Sequence, residues 1–346
     1  MSGKLTRLLV KDFFGIYSID WIFNKDVTVL VGKNGVGKST LLNLIYCALQ
    51  PEELMNKSNS FPFNVISSIE LFFDDKSSIK VSHQELTQED LEKLTYIFND
   101  EKFQDRLFKS ISKKISQENI SKGLDLKEFN EKLKLFFEHS NLNKQLSHIE
   151  SKKLSVEFNE SDPKKIEENY KVEFISTLFM NANSVNEVKW SNGRIANILD
   201  IEIKHEILNL LSLKDNRSNI DKFLNVMNSF LKDTEKEIIQ DGSNFKFRPF
   251  NKNDLLDIKQ LSSGERQLFY ICIKTINLLS EKNKQPILLM DEPEISLHPA
   301  WQDKLLEKII EINPKMQIIL VTHSPAIIMN GWRNKYIDIK DILNKG

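Results

Sequence analysis

The sequence predicts an α/β fold, a mixed sheet plus a mainly helical insertion, and three observations carry that prediction. Val27-Thr28-Val29-Leu30-Val31 is a β-branched apolar run. It is followed by the glycine-rich turn Gly32-Lys33-Asn34-Gly35-Val36-Gly37 and the apolar stretch Leu41-Leu42-Asn43-Leu44-Ile45, the order strand, turn, helix. Two further apolar runs, Ile287–Met290 and Ile318–Val321, each end in polar residues, as buried strands do at the edge where α/β proteins bind ligands. Between these regions, residues 87–150 are dense in Lys and Glu and poor in Gly and Pro, a helical composition.

Taken in order, residues 4–31 read as two or three strands, Leu5–Val10, Tyr17–Phe23 and Val27–Val31, separated by Gly15 and Asn24-Lys25-Asp26. Phe13 and Phe14 lie between the first two, as core residues or as a border for a ligand. Pro51 and the polar run Asn56–Ser60 mark a break, and Ile66–Phe73 with Ser78–Val81 read as a hairpin around Asp74-Asp75-Lys76-Ser77. Leu126, Phe129, Leu133 and Phe136 keep heptad spacing, but Ser140 and Asn143 interrupt it, which argues against a long coiled coil. A strand returns at 171–178. Ile220, Phe223, Leu224, Met227, Phe230 and Leu231 then mark one core-facing helical stripe. The expected division is an N-terminal lobe at 1–55, a hairpin at 56–82, the insertion at 83–250 and a C-terminal lobe at 251–346.

Composition narrows the class. The chain has 346 residues, 40% of them apolar, enough for a sizeable core. Its 48 basic and 49 acidic residues leave a net charge of −1, so the overall balance gives no argument for a nucleic-acid partner. No apolar signal core or stretch of 18 apolar residues appears, and a cytoplasmic protein without a membrane span is expected. Cys47 and Cys272 have no Cys-x-x-Cys spacing and read as two buried reduced thiols.

The turn after Val31 fits G-x-x-x-x-G-K-[ST], the loop that cradles a nucleoside triphosphate. Gly32, Gly35 and Gly37 let backbone N–H groups turn inward, and Asn34 and Thr40 complete the loop's contact surface. Lys38 would reach the terminal phosphates, and Ser39 would hold Mg²⁺. Asp291 and Glu292 sit at a strand's carboxyl end. Asp291 is placed to hold the metal, and Glu292 to deprotonate a water. His323 arrives at the same edge to position that water. Ser262-Ser263-Gly264 opens a helix and offers hydroxyls and N–H groups for a second phosphate contact. An ordinary serine cap with Glu265 in the first turn is the alternative there.

In that order, the loop, Leu261-Ser262-Ser263-Gly264-Glu265-Arg266-Gln267, Asp291-Glu292 and His323 resemble the ABC-type ATPase heads of transporters, RecF and SMC proteins. The block Asp291–Pro299 with Thr322-His323-Ser324-Pro325 is more similar to the stand-alone AAA ATPases of bacterial anti-phage defence, including OLD-family nucleases and the PARIS and Septu ATPases. The tail Ala326–Trp332 resembles the PARIS group most, with Septu and retron ATPases as alternatives. The resemblance implies a P-loop ABC-ATPase head with ATP and Mg²⁺ as cofactors. It also implies a head-to-tail homodimer or ring of dimers in which Ser262–Gly264 of one copy close on the nucleotide at Lys38 of another. Three departures stand out: Ser263 replaces the transporters' usual glycine, His298 stands where their D-loop has Asp, and no Q-loop glutamine is assignable. Since the chain ends soon after His323, the resemblance leads one to expect a separate effector, a nuclease, and a phage-derived trigger. A RecF- or SMC-like repair ATPase that binds DNA is the alternative.

Overall fold

The computed structural model describes residues 3–50, 63–85, 152–159, 168–176, 187–189, 195–213, 216–251, 254–281 and 283–345. The heptad positions between 126 and 143 lie outside them. The chain divides into two compact units, residues 1–81 with 156–346, and residues 82–155.

The strands are β1 (Leu5–Phe13), β2 (Tyr17–Ile22), β3 (Val27–Val31), β4 (Ser68–Phe73), β5 (Ser78–Glu85), β6 (Lys152–Asn159), β7 (Tyr170–Ser176), β8 (Glu187–Lys189), β9 (Ile195–Asn197), β10 (Lys236–Asp241), β11 (Asn244–Pro249), β12 (Gln285–Asp291), β13 (Gln317–Val321), β14 (Tyr336–Asp338) and β15 (Leu343–Lys345). The helices are α1 (Lys38–Ala48), α2 (Ile198–Ser212), α3 (Arg217–Leu231), α4 (Ser263–Asn277), α5 (Pro299–Ile312), α6 (Pro325–Met329) and α7 (Ile339–Ile342).

The expected mixture of strands and helices resolves into two main sheets. A six-stranded sheet runs β15-β2-β1-β4-β5-β6, with β1 antiparallel to both β2 and β4. A five-stranded sheet runs β14-β3-β13-β12-β7, and every pair in it is parallel. Continuous apolar sequence explains the parallel sheet: Val27 to Leu30, Ile287 to Met290 and Ile318 to Val321 are all buried, as strands covered on both faces require. Gln317 joins the two sheets. Its amide oxygen accepts from Leu5 N at 2.9 Å, and its Nε2 donates to Leu5 O and Asn24 O, both at 2.8 Å.

A second layer of core is built by α2, α3, α4, α5 and the β10–β11 hairpin. The predicted stripe on α3 is buried at Ile220, Phe223, Met227, Phe230 and Leu231, while Leu224 is only partly buried and Val226 takes its place. Phe223 packs against Phe245 and Phe269, with ring centroids 5.2 and 5.1 Å apart. Among the described residues, α2, α3 and the β10–β11 hairpin therefore share a core with α4 and α5 of the C-terminal lobe. Cys272 is buried, and burial pushes its thiol up to about 12. Cys47 is partly buried rather than buried, because α1 turns it away from the apolar face that carries Leu44 and Ile45.

Candidate functional site

Parallel register sets the site. Asp291 pairs with Val321, and Val321 with Leu30, so the carboxyl ends of β12, β13 and β3 share one rim. Gly37 closes the phosphate loop as the residue before α1, with φ 94°. A Cβ there would lie 2.5 Å from the Phe13 ring, so both conformation and close packing demand glycine. Phe13 itself is core, 1% exposed, whereas Phe14 is 46% exposed and borders the loop.

A cavity of about 400 Å³ is lined by Asn34, Gly35, Gly37, Lys38, Ser39, Thr40, Glu292 and His323, with Phe14 at its edge. Lys38 folds back over the loop, its Nζ donating to Gly32 O at 3.0 Å and Lys33 O at 2.8 Å. Burial lowers its pKa despite the charges of Glu292, Asp291 and Asp338. Ser39 Oγ donates to Asp291 Oδ1 at 2.9 Å. Burial raises the Asp291 carboxyl above its ordinary range, the Glu292 and Glu294 charges add to this, and Ser39 and Lys38 only partly offset it.

His323 Nε2 stands 3.3 Å from Glu292 Oε1. Glu292 adopts φ 47°, a left-handed conformation that costs a non-glycine residue about 1 kcal/mol or more. Its N–H donates to Val321 O at 2.9 Å, which fixes the turn beside the histidine.

A hydroxyl and a desolvated carboxylate in contact fit a divalent cation whose remaining ligands are water and phosphate oxygens. Among the described residues, no cluster of three or more His, Cys, Asp or Glu side chains is placed to hold a metal alone.

Ser262–Gly264 lie elsewhere. Ser262 caps α4: its Oγ accepts from Glu265 N at 3.3 Å, and its N–H and Oγ donate to Glu265 Oε2, both at 2.9 Å, a reciprocal capping box. Lys236 and Thr234 saturate the other Glu265 oxygen at 2.8 and 2.9 Å. Burial by itself raises the Glu265 carboxyl, but these hydrogen bonds outweigh it and hold the group below its ordinary value. A Cβ on Gly264 would meet Ser296 O at 2.5 Å. Ser262, Ser263, Gly264, Ser296, His298 and Lys304 help line a separate cavity of about 440 Å³, which shares no lining residue with the cavity at Lys38. His298 caps α5, its Nδ1 accepting from Ala300 N at 3.3 Å.

Sequence reasoning missed three buried or half-buried side chains. Gln267 donates to Pro293 O at 2.7 Å and accepts from Ser296 N, tying α4 to the segment after β12. Glu294 and Gln302 bond the 322–324 turn. Gln267 stood at the end of the Leu261–Gln267 segment without a role assigned to it, and Glu294 was visible as a third carboxylate directly after Asp291-Glu292-Pro293.

Residues 27–330 match the family model AAA_21, described as "AAA domain, putative AbiEii toxin, Type IV TA system". The "Retron Vc95 probable ATPase" of Vibrio cholerae serotype O1 biovar El Tor is 25% identical over 362 aligned residues, covering 88% of this chain and 67% of that one. Septu protein PtuA of Bacillus thuringiensis is 34% identical over 95 residues, 25% of this chain and 24% of its own. The crystal structure of an SMC head bound to the C-winged helix domain of ScpA superposes with a TM-score of 0.50 at 12% identity, covering 94% of this chain and 91% of that one. That likeness speaks to the fold, and it fits the SMC-type head expected from the motif order. The two curated relatives belong to the retron and Septu groups, the alternatives to the PARIS group in the sequence resemblance.

Proposed function

This chain belongs to the AAA_21 family of AAA domains, and on that premise we propose that it hydrolyses ATP to ADP and phosphate. The observation that carries the reading is the convergence of Lys38, the Ser39–Asp291 pair and the Glu292–His323 pair around one cavity at the ends of three parallel strands. Backbone N–H groups of the loop and the amino end of α1 favour the polyphosphate. Lys38, now bonded to two loop carbonyls, exchanges them for phosphate oxygens. Glu292 accepts the proton of the attacking water, and His323 orients that water and the terminal phosphate. Ser39 and Asp291 would hold Mg²⁺, which supplies charge neutralisation along the polyphosphate.

The second half of the proposal is assembly. The Ser262–Gly264 cavity is the surface on which another copy's nucleotide would close, in a head-to-tail dimer or ring of dimers. The names of the retron and Septu relatives support an anti-phage defence role, with ATP acting as a switch on a separate effector, a nuclease, in response to a phage-derived trigger. Among the described residues no helix is long and apolar enough to cross a membrane.

Phosphate release by the whole chain with Mg²⁺ and ATP tests the core reading, and Lys38→Ala is expected to abolish it. Equal release by both proteins would refute it. ATP-dependent growth in mass of Glu292→Gln, lost in Ser263→Arg, tests the assembly.

A further inference from the structure

The turn that presents His323 is held by one carboxylate. Glu294 is 8% exposed, and its Oε1 accepts from Thr322 Oγ1 at 2.6 Å, His323 N at 2.9 Å and Ser324 N at 3.1 Å. Three donors from three consecutive residues meet a single oxygen. The turn is held from a second side by Gln302, which accepts from Ser324 Oγ at 2.5 Å and donates to Leu297 O at 2.8 Å and Glu294 O at 3.3 Å. What remains free to face the cavity is the His323 ring, next to Glu292.

The other Glu294 oxygen, Oε2, is buried with no hydrogen-bond partner among the described residues. Leaving a buried acceptor bare costs about 1–3 kcal/mol, more when the group is charged. The carboxylate is thus committed to the 322–324 turn through one oxygen. Glu292 is itself held at a left-handed φ one residue before Pro293 and two before Glu294. Residues 291–294 and 321–324 are thus stitched together twice, once by Glu292 N to Val321 O and once by the Glu294 side chain.

We infer that Glu294 is a positioning residue for hydrolysis, acting by holding the 322–324 turn so that the His323 ring stands against Glu292. The inference rests on reading the Lys38 cavity as an ATPase centre. Displacing a reacting group by about 1 Å costs on the order of 100-fold in rate, which sets the expected effect. Glu294→Gln keeps an amide oxygen for the same three donors, whereas Glu294→Ala removes it.

The test compares the whole wild-type chain with Glu294→Gln, Glu294→Ala, His323→Ala and the Glu294→Ala/His323→Ala double variant. Glu294→Ala should lower kcat by about 100-fold with ATP affinity unchanged, and Glu294→Gln should recover part of that loss. The double variant should be no slower than His323→Ala alone, because the two residues act in one unit. A second readout needs no turnover: in ligand-free protein the His323 ring resonance should move in Glu294→Ala and stay near its wild-type position in Glu294→Gln. An unmoved resonance, an unchanged kcat in Glu294→Ala, or losses that multiply in the double variant would overturn the inference. If the resonance moves while the wild type releases no phosphate, the ATPase reading fails and the hold of Glu294 on His323 stands.

Discussion

The two cavities, one at Lys38 and one at Ser262, are lined by similar residue types yet satisfied in opposite ways. Around Ser262, Glu265 collects four donors on its two oxygens, and Gly264 packs its backbone against Ser296. Around Lys38, among the described residues, Asp291 accepts from Ser39 at a raised pKa, Glu292 stands beside His323 in a strained turn, and Lys38 rests on carbonyls of its own loop. Saturated charges build a scaffold. Charges left with spare capacity are free to bind and react, and that difference separates the two regions more clearly than composition does.

The contrast can be tested by breaking each side. The largest stability loss is expected for Glu265→Ala, about 3 kcal/mol in a denaturant titration at neutral pH, because it strands Lys236 and removes the Glu265 half of the capping box. The folded Glu265 pKa is depressed, so its stabilisation is fully present above the ordinary glutamate value and is lost as pH falls through the folded pKa. The gap between wild type and variant should therefore narrow in acid.

Lys38→Ala should do the reverse. It costs about 3 kcal/mol of ATP affinity, roughly 100-fold by equilibrium titration, with little change in the unfolding midpoint. If it destabilised the fold as much as Glu265→Ala, the contrast between the cavities would be wrong.

Gly37→Ala should cost about 2 kcal/mol of stability, from a positive φ combined with the clash against Phe13. Phe14→Ala comes last, weakening ATP by about 1 kcal/mol or less in the same titration, since Phe14 only borders the cavity and is half exposed.

The grouping of residues at the Lys38 cavity was legible in the sequence because most of it is local. Gly32 to Thr40 fall within one strand–turn–helix unit, and Asp291, Glu292 and His323 announce themselves as polar residues ending apolar strands. The supports were not readable. Glu294 meets Thr322 across 28 positions and Gln302 meets Ser324 across 22, and no periodicity encodes such pairs. The β10–β11 hairpin went unanticipated despite a visible signal, Asp241-Gly242 between the alternating runs of Ile238 and Phe245-Lys246-Phe247. The packing of Phe223, Phe245 and Phe269 into one core was not legible either, since composition does not reveal which distant rings meet.

Glu292→Gln addresses the central claim most directly, because it removes the proton acceptor and leaves the rest of the cavity in place. ATP should bind as tightly as to the wild-type chain while steady-state phosphate release falls on the order of 1,000-fold. Release at the parental rate, or an ATP affinity that falls together with the rate, would contradict the assignment of this cavity as the site of hydrolysis.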